Sequence, residues 1–332
     1  MLLAGDVGGT KTLLGLFTAG APRPELVETR EFTTLAFADL GDMVDEFLSG
    51  ARGGHRIDAA SFGVAGPVIG TSARLTNVPW LVDAKTLAER SSIAHVGLLN
   101  DLVALAHAVP VLRASELDVL QEGRMAPGGN KALIAAGTGL GEAFLHFVEG
   151  RLVPCGSEAA HSDFAARTPL DVRVLEALTR SFGRVSIEDI VSGSGLVNIH
   201  RVLHPDPCPA VDPAGDPAGA PALISRAALE RRCPKCVESF DTFVAAYGAE
   251  AGNLALRTMA TGGVYVGGGI APKILPALKA GGFLDAFRAK PPMDDFLKAV
   301  PVLVILNRAA GLLGAAVHAG TLVGASPNSR TR

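Results

Sequence analysis

Cysteine is scarce in this chain, with four in 332 residues, at Cys155, Cys208, Cys233 and Cys236. That is too few for a disulfide scaffold at this length. Long apolar runs are missing too: no stretch of about 18 uncharged apolar residues occurs, which argues against a helical membrane span. Neither sign of charge is in excess, since 30 Lys+Arg stand against 33 Asp+Glu for a formal charge of −3. There is therefore no broad basic surface to grip a nucleic-acid backbone and no long like-charge tail. The opening MLLAGDVGGT has no basic n-region and no long h-region, and Asp6 stands where a signal peptide is apolar. A cytoplasmic protein with no membrane or nucleic-acid partner is expected.

What the chain has is apolar side chain and glycine. Hydrophobic residues make up 48% and charged residues 19%, a balance that builds a core and argues against intrinsic disorder. The length suggests about two domains. The 39 glycines gather at the ends of apolar runs. Residues 2–5 and 12–17 flank Asp6-Val7-Gly8-Gly9-Thr10-Lys11, and residues 131–136 and 142–148 flank Gly137-Thr138-Gly139-Leu140-Gly141. Each reads as a β-hairpin closed by a glycine-rich turn, and the repeated device suggests two similar halves. A third cluster, Gly267-Gly268-Gly269, follows the apolar Val264-Tyr265-Val266 and precedes a helix start. Helical spacing marks residues 101–107, 170–178 and 240–259, the last expected to end at Gly262-Gly263. Strands alternating with helices predict an α/β architecture.

Residues 204–221 hold six prolines in 18 positions, which no helix interior or central strand tolerates. An irregular excursion is expected there. Residues 123–130 form a second loop, a candidate domain boundary, and residues 326–332 a frayed tail. Cys233-Pro-Lys-Cys236 has the spacing of half a zinc site, but no second CxxC accompanies it and no histidine pair at ligand spacing follows. A pair of reduced thiols near a helix start is the expectation, and no zinc site.

Several segments can carry chemistry, and each also has a plain structural reading. Gly8, Gly9 and Thr10 let backbone N–H groups approach an anion, with the Lys11 ammonium beside them and Asp6 placed to hold a metal ion through water. An ordinary hairpin turn explains the same residues equally well. Gly137-Thr138 repeats the device, and together with Gly268 and Gly269 it points to a polyphosphate more strongly than any one turn. Asn100-Asp101 closes the apolar run 96–99, where polar residues at a strand's carboxyl end line a crevice; Asp101 also fits a helix N-cap without chemistry. Glu158 and His161, three apart, face one side if the segment turns. Glu188, after Ser186 and before Asp189, reads equally as a helix start.

Taken in order, these segments resemble the bacterial glucokinase family, within the sugar kinase and actin-like ATPase superfamily. The matching motifs are GDVGGTK at 5–11, LTNVPW at 75–80, LLNDLVALAHAVP at 98–110 and AAGTGLGEA at 135–143. They continue with GSEAAHSDFA at 156–165, VSGSGLVNIH at 191–200, GGVYVGGGIAP at 262–272 and NRAAGLLGAA at 307–316. The resemblance implies an actin-like ATPase (ribonuclease H-like) fold of two α/β domains around a central cleft. The small domain would take residues 1–111 and 302–320, the large one 112–301, with a tail at 321–332. It implies transfer of the γ-phosphoryl group of ATP, with Mg²⁺, to the 6-hydroxyl of glucose, and a homodimer.

Residue by residue, the resemblance gives Asp101 the general base's role and places Asn77, Asn100, Asp101, Glu158, His161 and Glu188 at the sugar. Asp6, Gly8, Gly9, Thr10, Lys11, Gly137 and Thr138 fall at the phosphates, and Gly268 and Gly269 on the adenosine side. Where glucokinases usually carry glycines before the sugar-binding histidine, this chain has Ala159 and Ala160. Two added methyls there narrow the pocket or reshape the loop, so a broader hexokinase acting on fructose, mannose or an amino sugar is the alternative. The related repressor/kinase group carries a Cys-rich zinc motif after that histidine; here His161 is followed by Ser162-Asp163-Phe164. A sugar-responsive repressor needs a helix-turn-helix ahead of the first turn, for which residues 1–4 leave no room. A chaperone or filament ATPase of actin type has no use for the Asn100-Asp101 and Glu158/His161 set.

Overall fold

The computed structural model describes residues 1–20, 22–51, 56–76, 78–206, 208, 210 and 219–324. They divide into two units, one from residues 1–113 and 307–332, the other from residues 114–306. Asn77 and much of the proline-rich 204–221 segment lie outside the described residues.

In the first unit, β1 (Leu2–Val7) and β2 (Lys11–Thr18) form the first expected hairpin, Leu2 opposite Phe17 and Val7 opposite Thr12. The sheet extends through β3 (Glu25–Thr33) on one side and through β4 (Ala59–Val64) and β8 (Val96–Asn100) on the other, in the order β3-β2-β1-β4-β8. Strands β5 (Val68–Ile69), β6 (Ser72–Arg74) and β7 (Leu81–Asp83) make a separate small antiparallel sheet. β1, β4 and β8 run parallel. β4 is buried along its whole length, and its sequence AASFGV is accordingly apolar on both faces rather than alternating. The edge strand β3 instead exposes Glu25, Glu28, Arg30 and Glu31 or holds them half-buried, which discourages pairing with another edge. Three helices cover this sheet: α1 (Leu40–Gly50), α2 (Ala84–Ser91) and α3 (Asp101–Ala108). Asp39 and Asp83 cap the first two, each accepting from backbone N–H groups of the first turn. Leu3, Leu14, Met43, Phe47 and Phe62 fill the core between sheet and helices.

The second unit is built on six strands in the order β12-β11-β10-β13-β14-β9. These are β9 (Leu117–Gln121), β10 (Lys131–Ala136), β11 (Leu140–Val148), β12 (Arg151–Ser157), β13 (Val264–Gly267) and β14 (Val302–Ile305). β10 and β11 form the second expected hairpin. Because β9 and β10 belong to one sheet, the 123–130 loop is an internal connection of this unit. β14 pairs parallel with β13 and antiparallel with β9. The chain therefore returns to the first unit at Asn307, not at residue 302.

Helices α4 (Pro169–Phe182), α5 (Gly193–Leu203), α6 (Ala220–Leu229), α7 (Pro234–Thr258), α8 (Leu275–Lys279), α9 (Gly282–Arg288) and α10 (Asp294–Ala299) complete the second unit. The long helix α7 buries Phe240, Phe243, Val244, Tyr247 and Leu254, the stripe expected from the sequence. It ends earlier than Gly262-Gly263, because Met259 itself adopts the left-handed conformation at φ 49° and its N–H closes back on Ala255 and Leu256. The Ser186 segment is a turn and not a helix start. Asp189 accepts from both Ser186 N and Ser186 Oγ, which closes the turn on itself, and α5 begins only after Ser192 caps Gly195. The last helix, α11 (Ala310–Gly324), packs back on β1, β4 and α3 of the first unit and runs on into the expected tail. No helix among the described residues is long and apolar enough to cross a membrane.

One buried group in the second unit is under electrostatic stress. Glu142 on β11 is fully buried, and neither carboxyl oxygen makes a hydrogen bond. Burial, and then the Glu250 carboxylate, push its pKa from 4.5 up to about 8. A raised carboxyl stabilises the fold while the unfolded chain also holds the proton, and that contribution is lost as pH rises from 4.5 through about 8. Glu142→Gln is expected to flatten the fall of Tm between about pH 5 and 8. An unchanged slope in a thermal-melt series would show that Glu142 is ionised in the fold.

Candidate active site

The parallel strands of the first unit end together. Asp6 on β1 lies opposite Gly63 on β4, and Val64 lies opposite Asn100 at the end of β8. Register thus brings Asp6 and the Asn100-Asp101 pair to one edge of the sheet, where the carboxyl ends of parallel strands offer ligand sites. Asn100 is the N-cap of α3. Its Oδ1 accepts from Leu102 N at 2.9 Å and Val103 N at 3.4 Å, while its Nδ2 donates to the Gly66 carbonyl at 3.3 Å. Asp101, the first helical residue, accepts from Leu102 N at 2.8 Å. The capping duty expected of Asp101 falls on Asn100 instead.

Asp6 is affected by this arrangement. Burial, and next the nearby charge of Asp101, raise its pKa from 3.8 to about 6. The hairpin turn beside it is held by Gly8 N donating to Lys11 O and by Thr34, whose hydroxyl donates to Gly8 O and whose N–H donates to Thr10 O. Gly8 and Gly9 are half-buried and Thr10 is exposed. Lys11 is exposed at the start of β2, with its ammonium 2.5 Å from Glu31 on β3.

The second unit gathers the remaining residues. Its turn is closed by Gly137 N donating to Gly139 O at 2.8 Å, and Gly137 O accepts from Gly193 N at the start of α5. Thr138 is exposed at the tip. Glu188 reaches this turn, its Oε2 accepting from Leu140 N at 2.8 Å, while its Oε1 stands 4.0 Å from His161 Nδ1. Glu158 Oε2 lies 3.9 Å from His161 Nε2. The short 3₁₀ turn Ala159–His161 produces this arrangement, since it brings the side chains three apart onto one face. One imidazole between two carboxylates, both partly solvated, is a set of donors and acceptors suited to a polyhydroxyl ligand.

The glycine triplet lies next to the same turn. β13 runs parallel to β10 with Gly267 opposite Ala135, so residues 268–269 leave the sheet beside residues 137–138. Gly268 takes φ 82°, and a Cβ there would come within 2.3 Å of Ala136 O. Gly269 is exposed. Tyr247 pins the two strand ends. Its fully buried hydroxyl accepts from Ala136 N at 3.3 Å and donates to Gly267 O at 3.4 Å. Sequence reading placed Tyr247 only in a core stripe, because nothing in a helical pattern shows which hydroxyl ends at a strand terminus. Asn77 lies outside the described residues.

The coupling of Asp6 to Asp101 is measurable. Carboxyl ¹³C chemical shifts should report an Asp6 midpoint near 6. Asp101→Asn should lower it, because one of the two causes is removed while burial persists. An unmoved midpoint would mean that the two carboxylates do not sense each other.

Known proteins match this chain over nearly its whole length. The sequence profile of the glucokinase family matches residues 3–322. A glucokinase of Synechocystis sp. is 40% identical over 344 aligned positions, covering 96% of this chain and 97% of its own. A glucokinase of Nostoc punctiforme is 37% identical over 340 positions, covering 97% and 99%. Among solved structures, a glucokinase from an Antarctic psychrotroph matches with a TM-score of 0.86 at 28% identity, over 96% of this chain and 98% of its own. Profile, relatives and architecture agree: the chain belongs to the glucokinase family and has its actin-like ATPase fold.

Proposed function

We propose that this protein is a glucokinase, transferring the γ-phosphoryl group of ATP to the 6-hydroxyl of glucose to give glucose 6-phosphate and ADP. The observation that carries the reading is the division of labour at the start of α3. Asn100 supplies the helix cap, and Asp101, the next residue, sets its carboxylate at the strand's end close enough to Asp6 to raise that group's pKa. Family membership gives the reaction class, and the strand-end carboxylates and glycine turns supply groups of the kind it needs.

Phosphoryl transfer demands positioning and charge neutralisation more than covalent chemistry. Gly8, Gly9, Thr10, Gly137 and Thr138 would donate N–H and hydroxyl bonds to phosphate oxygens, with Lys11 adding charge nearby. Gly268 and Gly269 would leave room for the adenosine. Asn100, Glu158, His161 and Glu188, with Asn77, would pair the sugar hydroxyls; each buried polar group left unpaired costs about 1–3 kcal/mol. Asp101 would take the proton of the 6-hydroxyl as its oxygen attacks phosphorus. The Asp6 carboxylate, drawn into the fold beside the Asp101 charge, is a hard-oxygen donor of the type that suits Mg²⁺ held through water. When bound, the ion would neutralise charge on the transferring phosphates.

Ala160 bears on sugar specificity. Its methyl is 3% exposed and belongs to the apolar core of its unit, so only Ala159 adds bulk beside Glu158 and His161. That supports glucose over a reshaped, broader pocket. Cytoplasmic residence and a homodimer complete the proposal.

A coupled assay over glucose, fructose, mannose and glucosamine, with ATP, ADP and polyphosphate as donors, tests the reading. ATP consumption dependent on glucose is expected, and sugar-independent ATP hydrolysis would overturn it. Asp101→Asn should keep the fold and lower kcat by roughly 10²–10⁴; near-normal turnover would remove Asp101 from the role. Glu158→Gln should mainly raise the KM for glucose, because it removes binding and not proton transfer. An unchanged KM would count against the sugar set.

A further inference from the structure

The second unit holds a cluster that the kinase reading does not use. His200 lies in the last turn of α5, Cys208 follows in the proline-rich stretch, Cys233 caps α7, and Cys236 lies in that helix's first turn. In sequence the spacing is H-x7-C-x24-C-x2-C, which no compact motif covers. In space His200, Cys208 and Cys236 converge, and Cys233 stands against Cys208. Cys208 Sγ is 3.1 Å from Cys233 Sγ and 3.6 Å from Cys236 Sγ. A ring nitrogen of His200 and the sulfurs of Cys208 and Cys236 all lie within 4.8 Å of one another. All four side chains are buried, between 0% and 6% exposed, and the cysteines are unbridged.

We propose that His200, Cys208, Cys233 and Cys236 bind one divalent soft cation, zinc by chemistry, as a closed structural site. Thiolate sulfurs about 2.3 Å from a tetrahedral zinc sit about 3.7 Å from one another, close to the separations of Cys208 Sγ from its two neighbouring sulfurs. Three thiols and an imidazole packed this tightly gain little from each other as free groups, because S–H is a weak donor.

One ring nitrogen of the histidine already has a partner. Ser239 Oγ donates its only proton to Lys235 O at 2.9 Å and lies 2.9 Å from His200 Nδ1. Its lone pair must therefore accept from Nδ1–H, which leaves Nε2 with the lone pair that a metal takes. A metal-bound histidine is normally fixed in this way by a partner on its other nitrogen. On binding, each coordinating thiol releases its proton to solvent, and the ion ties α5, the stretch at Cys208 and the start of α7 together. The sequence showed only half of the site, since Cys208 and His200 join it through folding.

The test uses the untagged full-length chain, purified under reducing conditions with zinc supplied. Elemental analysis should find about one zinc per chain that survives dialysis. Replacing it with Co²⁺ should give thiolate charge-transfer bands and the intense visible absorption of tetrahedral cobalt. Cys208→Ser and Cys236→Ser should each lose the metal and lower Tm, while Cys155→Ser, remote on β12, should retain both. If the serine variants do not fold, the cobalt spectrum of the unsubstituted chain decides. Zinc-free protein after supplementation, an octahedral cobalt spectrum, a Cys208–Cys233 disulfide found by alkylation and mass spectrometry, or equal metal loss in Cys155→Ser would each overturn the proposal.

Discussion

A carboxylate drawn largely out of water at the end of a parallel strand costs free energy unless something answers its charge, and the first unit is arranged around such a group. Asp6, next to last in β1, lies beside Gly63, with Asp101 close enough to raise its pKa further. The beginning of α11 approaches so closely that a Cβ at Gly311 would lie 2.8 Å from Asp6 Oδ2. A helix N-terminus carries partial positive charge, so the last helix of the chain partly compensates the strand end it covers. Strand register, the sequence of α3 and the return of the C-terminal helix all meet at this one oxygen.

The second unit follows the same geometry with different chemistry. Its parallel strands β10 and β13 end in backbone instead of side chain, at Gly137-Thr138 and Gly268-Gly269. Tyr247 holds those ends from below, and Glu188 holds the turn from the side through Leu140 N. Glu188 thus has two duties, since its other oxygen faces His161. Shape at the turn and polarity beside it are therefore coupled through one side chain.

Much of this was legible in the sequence where local chemistry decides. Glycine between apolar runs gives the same hairpin in any context, so the turns at 8–10 and 137–139 emerged directly. The α/β architecture and the stripe on α7 emerged too, because periodicity survives folding. What stayed hidden depends on which of several equivalent groups wins. Asn100 and Asp101 are both good caps, and only backbone direction chose Asn100. Ser186 and Asp189 have the spacing of a helix start, yet they close on each other as a turn. Met259 took the left-handed position that glycine was expected to fill. The resemblance sets the return of the chain at residue 302, but Val302–Ile305 pairs with β13 and β9, and only the sheet shows those partners.

The division of the chain has an effect on biosynthesis. The second unit is one uninterrupted stretch, residues 114–306, whereas the first needs residues from both flanks of it. As the chain leaves the ribosome, β1, β4 and α3 emerge early, but α11, which packs on all three, emerges only after the whole second unit has been made. The interrupting unit can therefore complete its fold first, while the outer one waits with an apolar face uncovered. In a newly made chain the first-synthesised unit can therefore be the last to close.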